Sequence, residues 1–392
     1  MHILEIPSFF PPHGGEFCLE QARALKNIGH EVRILSCTQL AMTIDRAFYL
    51  KAPRGRRWER MDNVDCYRSF IHGVPKLVRF NEERWVKRVL SMYKDYTVRY
   101  GCPDVIHAHC TKWAGVAAQQ IGKQEGIPYF ITEHLSSILY KKDFGPTWDK
   151  HLWAKSLLQD AMKGATCVIP VSDELVQDLS PFFGVDYRHQ TVSNIVDTTF
   201  FGKGKTASEI VAERKLQRTS EPFRFVCLAR ADVFGKGLDV LAEAVGRKWF
   251  QEGEFELHIA GRDTDRLRSL FPQRNVMLHG NLKKEEVRDL LWQCQALVLP
   301  SRCESQALAV FEAFCSGIPV VITEAVPKSV RLPEASVVAP IGDASALANG
   351  MQQVVNVESD AAWVEKAQAM VSPQSVANQL EQLFAAKQSC IP

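Results

Sequence analysis

The amino-acid sequence predicts an α/β protein of two Rossmann-like domains facing an interdomain cleft. Short apolar runs of strand length repeatedly end in polar loops that lead into helical patterns, as in βαβ units. This alternation is interrupted once by a polar stretch, residues 202–222 (GKGKTASEIVAERKLQRTSEP), and then resumes. The length of 392 residues is enough for two buried cores.

The first strand, Ile3 to Pro7, leads through SFFPPHGG into a helix expected from Glu16 to Ile28, closed by Gly29. A strand over Glu31 to Ser36 completes the first unit. Strand-to-helix transitions follow at Val105 to His107, Tyr129 to Thr132 and Cys167 to Val171. Beyond the polar stretch, strands are expected at Phe223 to Ala229, Glu254 to Ala260, Val276 to Leu278, Ala296 to Leu299 and Pro319 to Ile322. Helices are expected at Leu238 to Trp249, Glu285 to Cys294 and Ala307 to Cys315. The expected division is a first Rossmann-like domain over 1–200, a second over 201–372, and a terminal segment over 373–392 with a helix at Pro373 to Lys387.

Composition narrows the class. With 46% hydrophobic and 23% charged residues the chain reads as a soluble globular protein rather than a disordered one. Its 11 cysteines are scattered without zinc-ligand spacing, which points to a reducing, cytoplasmic setting and to no metal site. Neither a secretory leader pattern nor an apolar run of membrane-spanning length occurs. Between Arg46 and Arg99 stand 14 Lys/Arg against 6 Asp/Glu. That excess suits phosphorylated lipids or anionic glycans, or simply a solvated basic face; nucleic acid is not expected, because neither an aromatic RNA platform nor a DNA-recognition module accompanies it.

The most informative stretch is LVLPSRCESQALAVFEAFCSGIPVV. Glu304 falls in a loop after a short strand, and Glu312 falls two turns later on a helix. At the carboxyl edge of a parallel sheet, such a loop offers backbone amides to phosphate oxygens or sugar hydroxyls. A carboxylate at Glu312 can accept from both hydroxyls of a ribose. In FVCLARADVFGKGLDVLAEAV, Arg230 follows a strand and Lys236 precedes a helix, positions suited to a diphosphate. Gly14 and Gly15 leave room for a ligand at the turn before the first helix. The segments DVIHAHCTKWAG and FITEH put His107, His109, Glu133 and His134 at or beyond strand ends. His107 reads as a core or supporting residue.

ESQALAVFEAFCSGIPVV closely resembles the double-glutamate motif of retaining GT-B glycosyltransferases, the family 4-like group that includes bacterial polysaccharide glycosyltransferases. The resemblance implies a retaining transferase acting from a UDP- or GDP-linked sugar, with no other cofactor, on a glycan or lipid-linked acceptor. It implies that Glu304 touches the donor sugar, that Glu312 holds the ribose, and that Arg230 and Lys236 clamp the diphosphate. By the same resemblance His109 meets the polar edge of the donor sugar, Gly14 and Gly15 border the donor, and His134 lines the acceptor side. Where most members have Gly-Phe-Gly, this chain has Ser305, Gln306 and Ala307. VSNIVDTTFF, around Asn194 and Asp197, resembles the segment that leads into the crossover. Asp263-Thr264-Asp265 has the DxD form of the other major transferase architecture, but its place after ELHIAGR reads as the start of a helix. The competing classes are a nucleotide-sugar epimerase or hydrolase, and a noncatalytic nucleotide-sugar-binding regulator. The expected location is cytoplasmic, at the inner face of the membrane if the basic stretch binds lipid.

Overall fold

The computed structural model describes residues 1–12, 14–41, 46–217 and 222–386. His13 of PPHGG and Lys387 of the expected terminal helix lie outside the described residues. The chain divides into two compact units, Val196–Ser372 and a first unit made of Met1–Ile195 with the segment from Pro373 onward.

The sheet of the first unit contains β1 (His2–Pro7), β2 (Glu31–Leu40), β3 (Arg56–Met61), β4 (Val64–His72), β5 (Val105–His109), β6 (Tyr129–Glu133) and β7 (Cys167–Pro170). Their order is β3-β4-β2-β1-β5-β6-β7. Only the β3–β4 edge pair is antiparallel. Helices cover both faces, so the central strands are buried and apolar, as parallel sheets require. Glu5 departs from this pattern. It is a fully buried carboxylate in the middle of β1.

The helix Glu16–Asn27 buries Leu19, Ala22 and Leu25 against the sheet, and the helix Pro373–Ala385 adds Val376, Leu380 and Phe384 to the same core. The unit boundary falls at Ile195/Val196 rather than at 200, because Val196 and Phe201 bury their side chains in the second core.

In the second unit, β8 (Phe223–Leu228), β9 (Phe255–Ala260), β10 (Val276–Gly280), β11 (Ala296–Leu299), β12 (Val320–Thr323) and β13 (Ser336–Ala339) form a wholly parallel sheet. Its order β10-β9-β8-β11-β12-β13 is the doubly wound order, with a topological switch between β8 and β11.

Two expectations are corrected. The polar stretch at 202–222, which reads in the sequence as a linker or surface excursion, carries the helix Ala207–Gln217 among its described residues, and that helix buries Ile210 and Arg214. The Arg214 guanidinium is satisfied by the carbonyls of Ser316, Trp292, Cys294 and Leu291 at 2.7 to 3.2 Å. A residue that looks solvent-facing in the sequence thus serves the interior, because its donors close otherwise open helix and loop carbonyls. The helix expected over Leu238 to Trp249 stops at Val245, and a separate short helix, Lys248–Glu252, follows Gly246.

Candidate active site

Each unit gathers its predicted residues where β-strands run out at the sheet's switch point. In the second unit the loops after β8 and β11 are fastened together. The Arg302 amide donates to the Gly235 carbonyl at 3.0 Å, and the Arg302 guanidinium grips the Asp239 carboxylate through two bonds of 2.7 and 2.8 Å. Gly237, at φ +64°, starts the helix Leu238–Val245. A Cβ on Gly237 would lie 1.9 Å from the Pro300 carbonyl oxygen, so the close approach of the two loops requires glycine there.

This fastening sets the catalytic candidates. Lys236 Nζ donates to Glu304 Oε1 at 2.7 Å, and Ser301 Oγ donates to the same oxygen at 2.6 Å. Both side chains are largely covered. Arg230 stands exposed at the start of the loop after β8, 3.2 Å from Asp232. Burial works against ionisation of Asp232, but the Gly235 amide and Arg230 hold its carboxyl below the usual range. Ser305, Gln306 and Ala307 follow Glu304 into the helix Leu308–Cys315, and Glu312 lies half-buried on that helix. Ala307 begins it at φ +64°, a left-handed conformation that costs an L-residue about 1 to 2 kcal/mol. The Gly-Phe-Gly pattern that this motif resembles has glycine at the same position, where a positive φ carries no such cost.

In the DxD segment, Thr264 is buried and ties Gly261 to Gly280, donating at 2.9 Å to the first and accepting at 3.1 Å from the second. Asp263 pairs with Arg266. The triplet is used to shape the turn between β9 and β10.

In the first unit, β1 leads to Gly15, whose φ of +86° and place 2.2 Å from the Phe9 carbonyl, measured from a built Cβ, again demand glycine. Gly14 has a positive φ but more space. His109 ends β5, adjacent to β1 in the sheet, and His134 follows β6. The structure brings these histidines into one chain of contacts. Thr132 Oγ1 lies 2.7 Å from His107 Nε2; His107 Nδ1 lies 2.9 Å from Glu5 Oε2; His109 Nε2 lies 2.8 Å from the same oxygen; His109 Nδ1 lies 3.2 Å from His134 Nε2. Phe17 stacks on the His134 ring at 3.8 Å. Burial raises the Glu5 carboxyl, but His107 and His109 outweigh it and hold the group at about 2. Burial, reinforced by the neighbouring imidazoles, lowers both His109 and His134 from the ordinary histidine value.

Glu133 supports this edge from behind. Its carboxylate accepts from the amides of Thr111, His134 and Leu135 and from the hydroxyls of Thr111 and Tyr140, all at 2.7 to 3.0 Å. Glu5, His107 and His109 are the one group among the described residues whose ligating atoms fall within 4.8 Å of one another. Their 2.8 and 2.9 Å separations are hydrogen-bond distances, whereas two donors around one zinc ion with bonds of about 2.0 to 2.2 Å stand roughly 3.3 Å apart.

Beside this edge the first unit has a cavity of about 370 Å³ walled by Phe9, Phe10, Trp85 and Trp113, with Gln39, Glu82 and Lys112 among its polar groups. Burial pushes the Glu82 carboxyl up to about 7. Sequence reasoning missed this cavity and Glu5. A carboxylate inside an otherwise apolar strand, HILEIP, was the available signal for Glu5.

Residues 14–200 match the model of Glycosyltransferase Family 4, and residues 222–356 match that of Glycosyl transferases group 1. The chain is a group 1 glycosyltransferase, family 4-like. This transferase is 26% identical over 333 residues, 83% of its own length and 81% of the other's, to TuaC of Bacillus subtilis, a candidate teichuronic acid biosynthesis glycosyltransferase. It is also 23% identical over 266 residues to the mannosylfructose-phosphate synthase of Agrobacterium fabrum, covering 61% of this chain and 57% of that one. Among solved structures, sucrose-phosphate synthase from Thermosynechococcus elongatus superposes with a TM-score of 0.75 at 18% identity over the full length of both chains. Anabaena HepE in complex with UDP gives 0.67 at 16% identity, covering 98% of this transferase and all of HepE. These likenesses place the two parallel sheets of the group 1 glycosyltransferase in the GT-B fold.

Proposed function

We propose that the protein transfers a glycosyl group, with retained anomeric configuration, from a UDP- or GDP-linked sugar to a hydroxyl of a glycan or lipid-linked acceptor. The observation that carries this reading is the fastened pair of loops in the second unit, which holds Lys236 against Glu304 at the switch point between β8 and β11. Ligands of open parallel sheets bind at such points. The UDP complex of the similarly folded HepE supports a nucleotide diphosphate as the bound species.

In this reading Glu304 meets the donor sugar and Glu312 accepts from the ribose hydroxyls. As the sugar–phosphate bond breaks, negative charge gathers on the diphosphate, where Arg230, Lys236 and the amides of Ser305, Gln306 and Ala307 stabilise it. The attacking hydroxyl approaches from the leaving-group face and passes its proton to a diphosphate oxygen. His109 and the turn at Gly14 and Gly15 border the donor, and His134 borders the acceptor. Two cations already present supply the charge compensation, so turnover is expected without an added divalent ion.

Glu312→Ala tests the donor site. Loss of a charge-assisted acceptor is expected to weaken the preferred nucleotide by about 1.5 to 3 kcal/mol. Titration calorimetry with UDP and GDP measures this and reveals the preferred base; an unchanged affinity would remove Glu312 from the site.

The basic stretch suggests where the acceptor is met. Glu59 pairs with both Arg57 and Arg68 and offsets one of their two charges, and Asp95 pairs with Arg56. At the start of the helix Val78–Tyr100, however, Leu77 and Phe80 are 52% and 51% exposed beside Lys76 and Arg79. Apolar side chains flanked by cations fit the surface of an anionic bilayer. No helix among the described residues is long and apolar enough to cross one. Sedimentation with anionic vesicles should therefore carry the protein down at low salt and less at physiological salt. Equal recovery with neutral vesicles would reject this contact.

A further inference from the structure

We propose that Glu5 is a positioning residue that fixes the tautomers of His107, His109 and His134, so that His134 presents a bare, hydrogen-bond-accepting Nδ1 at the edge of the acceptor side. The inference rests on the assignment of His109 and His134 to the transfer site, and deepens it.

Glu5 is fully buried on β1, directly opposite His107 in the sheet register, and His109 lies two residues further along the same strand and face. A buried carboxylate needs donors. Oε1 has no partner among the described residues, so Oε2 carries the whole demand. His109 Nε2, at 2.8 Å, must therefore bear its proton. His107 Nδ1 is 2.9 Å from Oε2 but off the hydrogen-bond axis; a bare lone pair that close to a carboxylate would repel it, so this nitrogen is protonated too.

A neutral imidazole has one N–H, and burial favours the neutral form of His109 and His134. With its proton on Nε2, His109 turns the lone pair of Nδ1 toward His134 Nε2, 3.2 Å away. His134 can meet that lone pair only with an N–H on Nε2. Its own Nδ1 is then left unprotonated, and it is a buried atom with no partner among the described residues. Phe17 stacks on the ring and Glu133 accepts from the His134 backbone amide, which fixes the plane of the ring and the backbone that carries it, and a half-turn within that plane would break the contact with His109. One carboxylate thus sets the polarity of a hydrogen-bond chain two residues away from it. Any group that meets His134 Nδ1 must donate to it, as a sugar hydroxyl can, and because the atom is buried, a bound sugar has to displace what covers it.

The test uses the full-length protein labelled with 15N in histidine. Two-bond 1H–15N correlation spectra separate Nδ1–H from Nε2–H tautomers, with single-histidine variants for assignment. The expected pattern in the wild type is Nδ1–H for His107 and Nε2–H for His109 and His134. Glu5→Gln keeps the shape but replaces one oxygen by a donor; it should scramble the tautomer of His134, which residue 5 does not touch, and lower kcat roughly tenfold or more with nucleotide affinity retained. An Nδ1–H or doubly protonated His134 in the wild type at neutral pH overturns the proposal, as does a stoichiometric metal ion in the purified protein. Scrambled tautomers in E5Q with an unchanged kcat overturn the positioning role. The wild-type spectrum decides the tautomers even if E5Q fails to fold. It requires neither donor nor acceptor, so its outcome is separable from that of the transfer assay.

Discussion

Lys236→Ala is expected to lower turnover by about a hundredfold to a thousandfold, the usual cost of removing one fixed contact to charge that develops in a transition state. The effect should fall more on kcat than on nucleotide affinity, because the charge on the diphosphate is greatest as the sugar leaves. The variant also strips Glu304 of its 2.7 Å cationic partner, leaving only Ser301 at that oxygen. For this reason Lys236→Arg is the informative companion: it retains charge while changing the donor geometry, and should recover part of the rate. Assays of wild type and K236A after exhaustive chelation, and again with magnesium or manganese, examine the cation question together with the lysine. A wild-type rate that collapses on chelation and returns with metal would replace the two-cation account. Undiminished turnover of K236A would discard the role of Lys236.

The second large effect belongs to Gly237. An alanine there meets two separate penalties: the left-handed backbone, about 1 to 2 kcal/mol, and a steric conflict with the Pro300 carbonyl, which at overpacked sites costs about 1 to 3 kcal/mol. The sum, roughly 2 to 5 kcal/mol, should appear as a clearly lower denaturation midpoint of the second unit. Gly342 is the control, since its φ of +79° carries the same backbone penalty but nothing lies within 4 Å of its built Cβ. G342A should therefore cost only the smaller part. Equal denaturant midpoints for G237A and G342A would show that the loop relaxes freely and that the two strand-end loops are not held as described.

The elements most legible in the sequence were those whose signals are local. The parallel strands announce themselves as short apolar runs, and β11 lies at Ala296–Leu299, where its pattern put it. Lys236 and Glu304 could be singled out because each sits between a strand and a helix in a segment that resembles a known motif, and the structure brings the two side chains to 2.7 Å. The β3–β4 pair was hidden, since RRWERM reads as charge rather than strand; its outer edge faces solvent, so only one face needs apolar side chains. The 23-residue helix Val78–Tyr100 was hidden for a related reason: its cations mask a stripe that buries Trp85, Val89, Met92 and Tyr96. The Glu5 chain could not be assembled at all from spacing. Glu5 and His109 are 104 positions apart, and only the pairing of β1 with β5 makes them neighbours.

The helix Pro373–Ala385 has a consequence for synthesis. The second unit is drawn from one uninterrupted stretch, but the first is completed by residues made after it. When the chain has been translated through Ile195, the face of Glu16–Asn27 that will receive Val376, Leu380 and Phe384 is still uncovered. It stays so until the whole second unit has left the ribosome. The second unit can therefore mature first, while the first waits with an apolar groove open, the state most exposed to chaperones and to aggregation. By the same logic a fragment ending at Ile195 would lack part of its core, whereas Val196–Ser372 contains all of its own. A circular permutant that joins the helix Pro373–Ala385 ahead of Met1 would let the first unit be made without interruption.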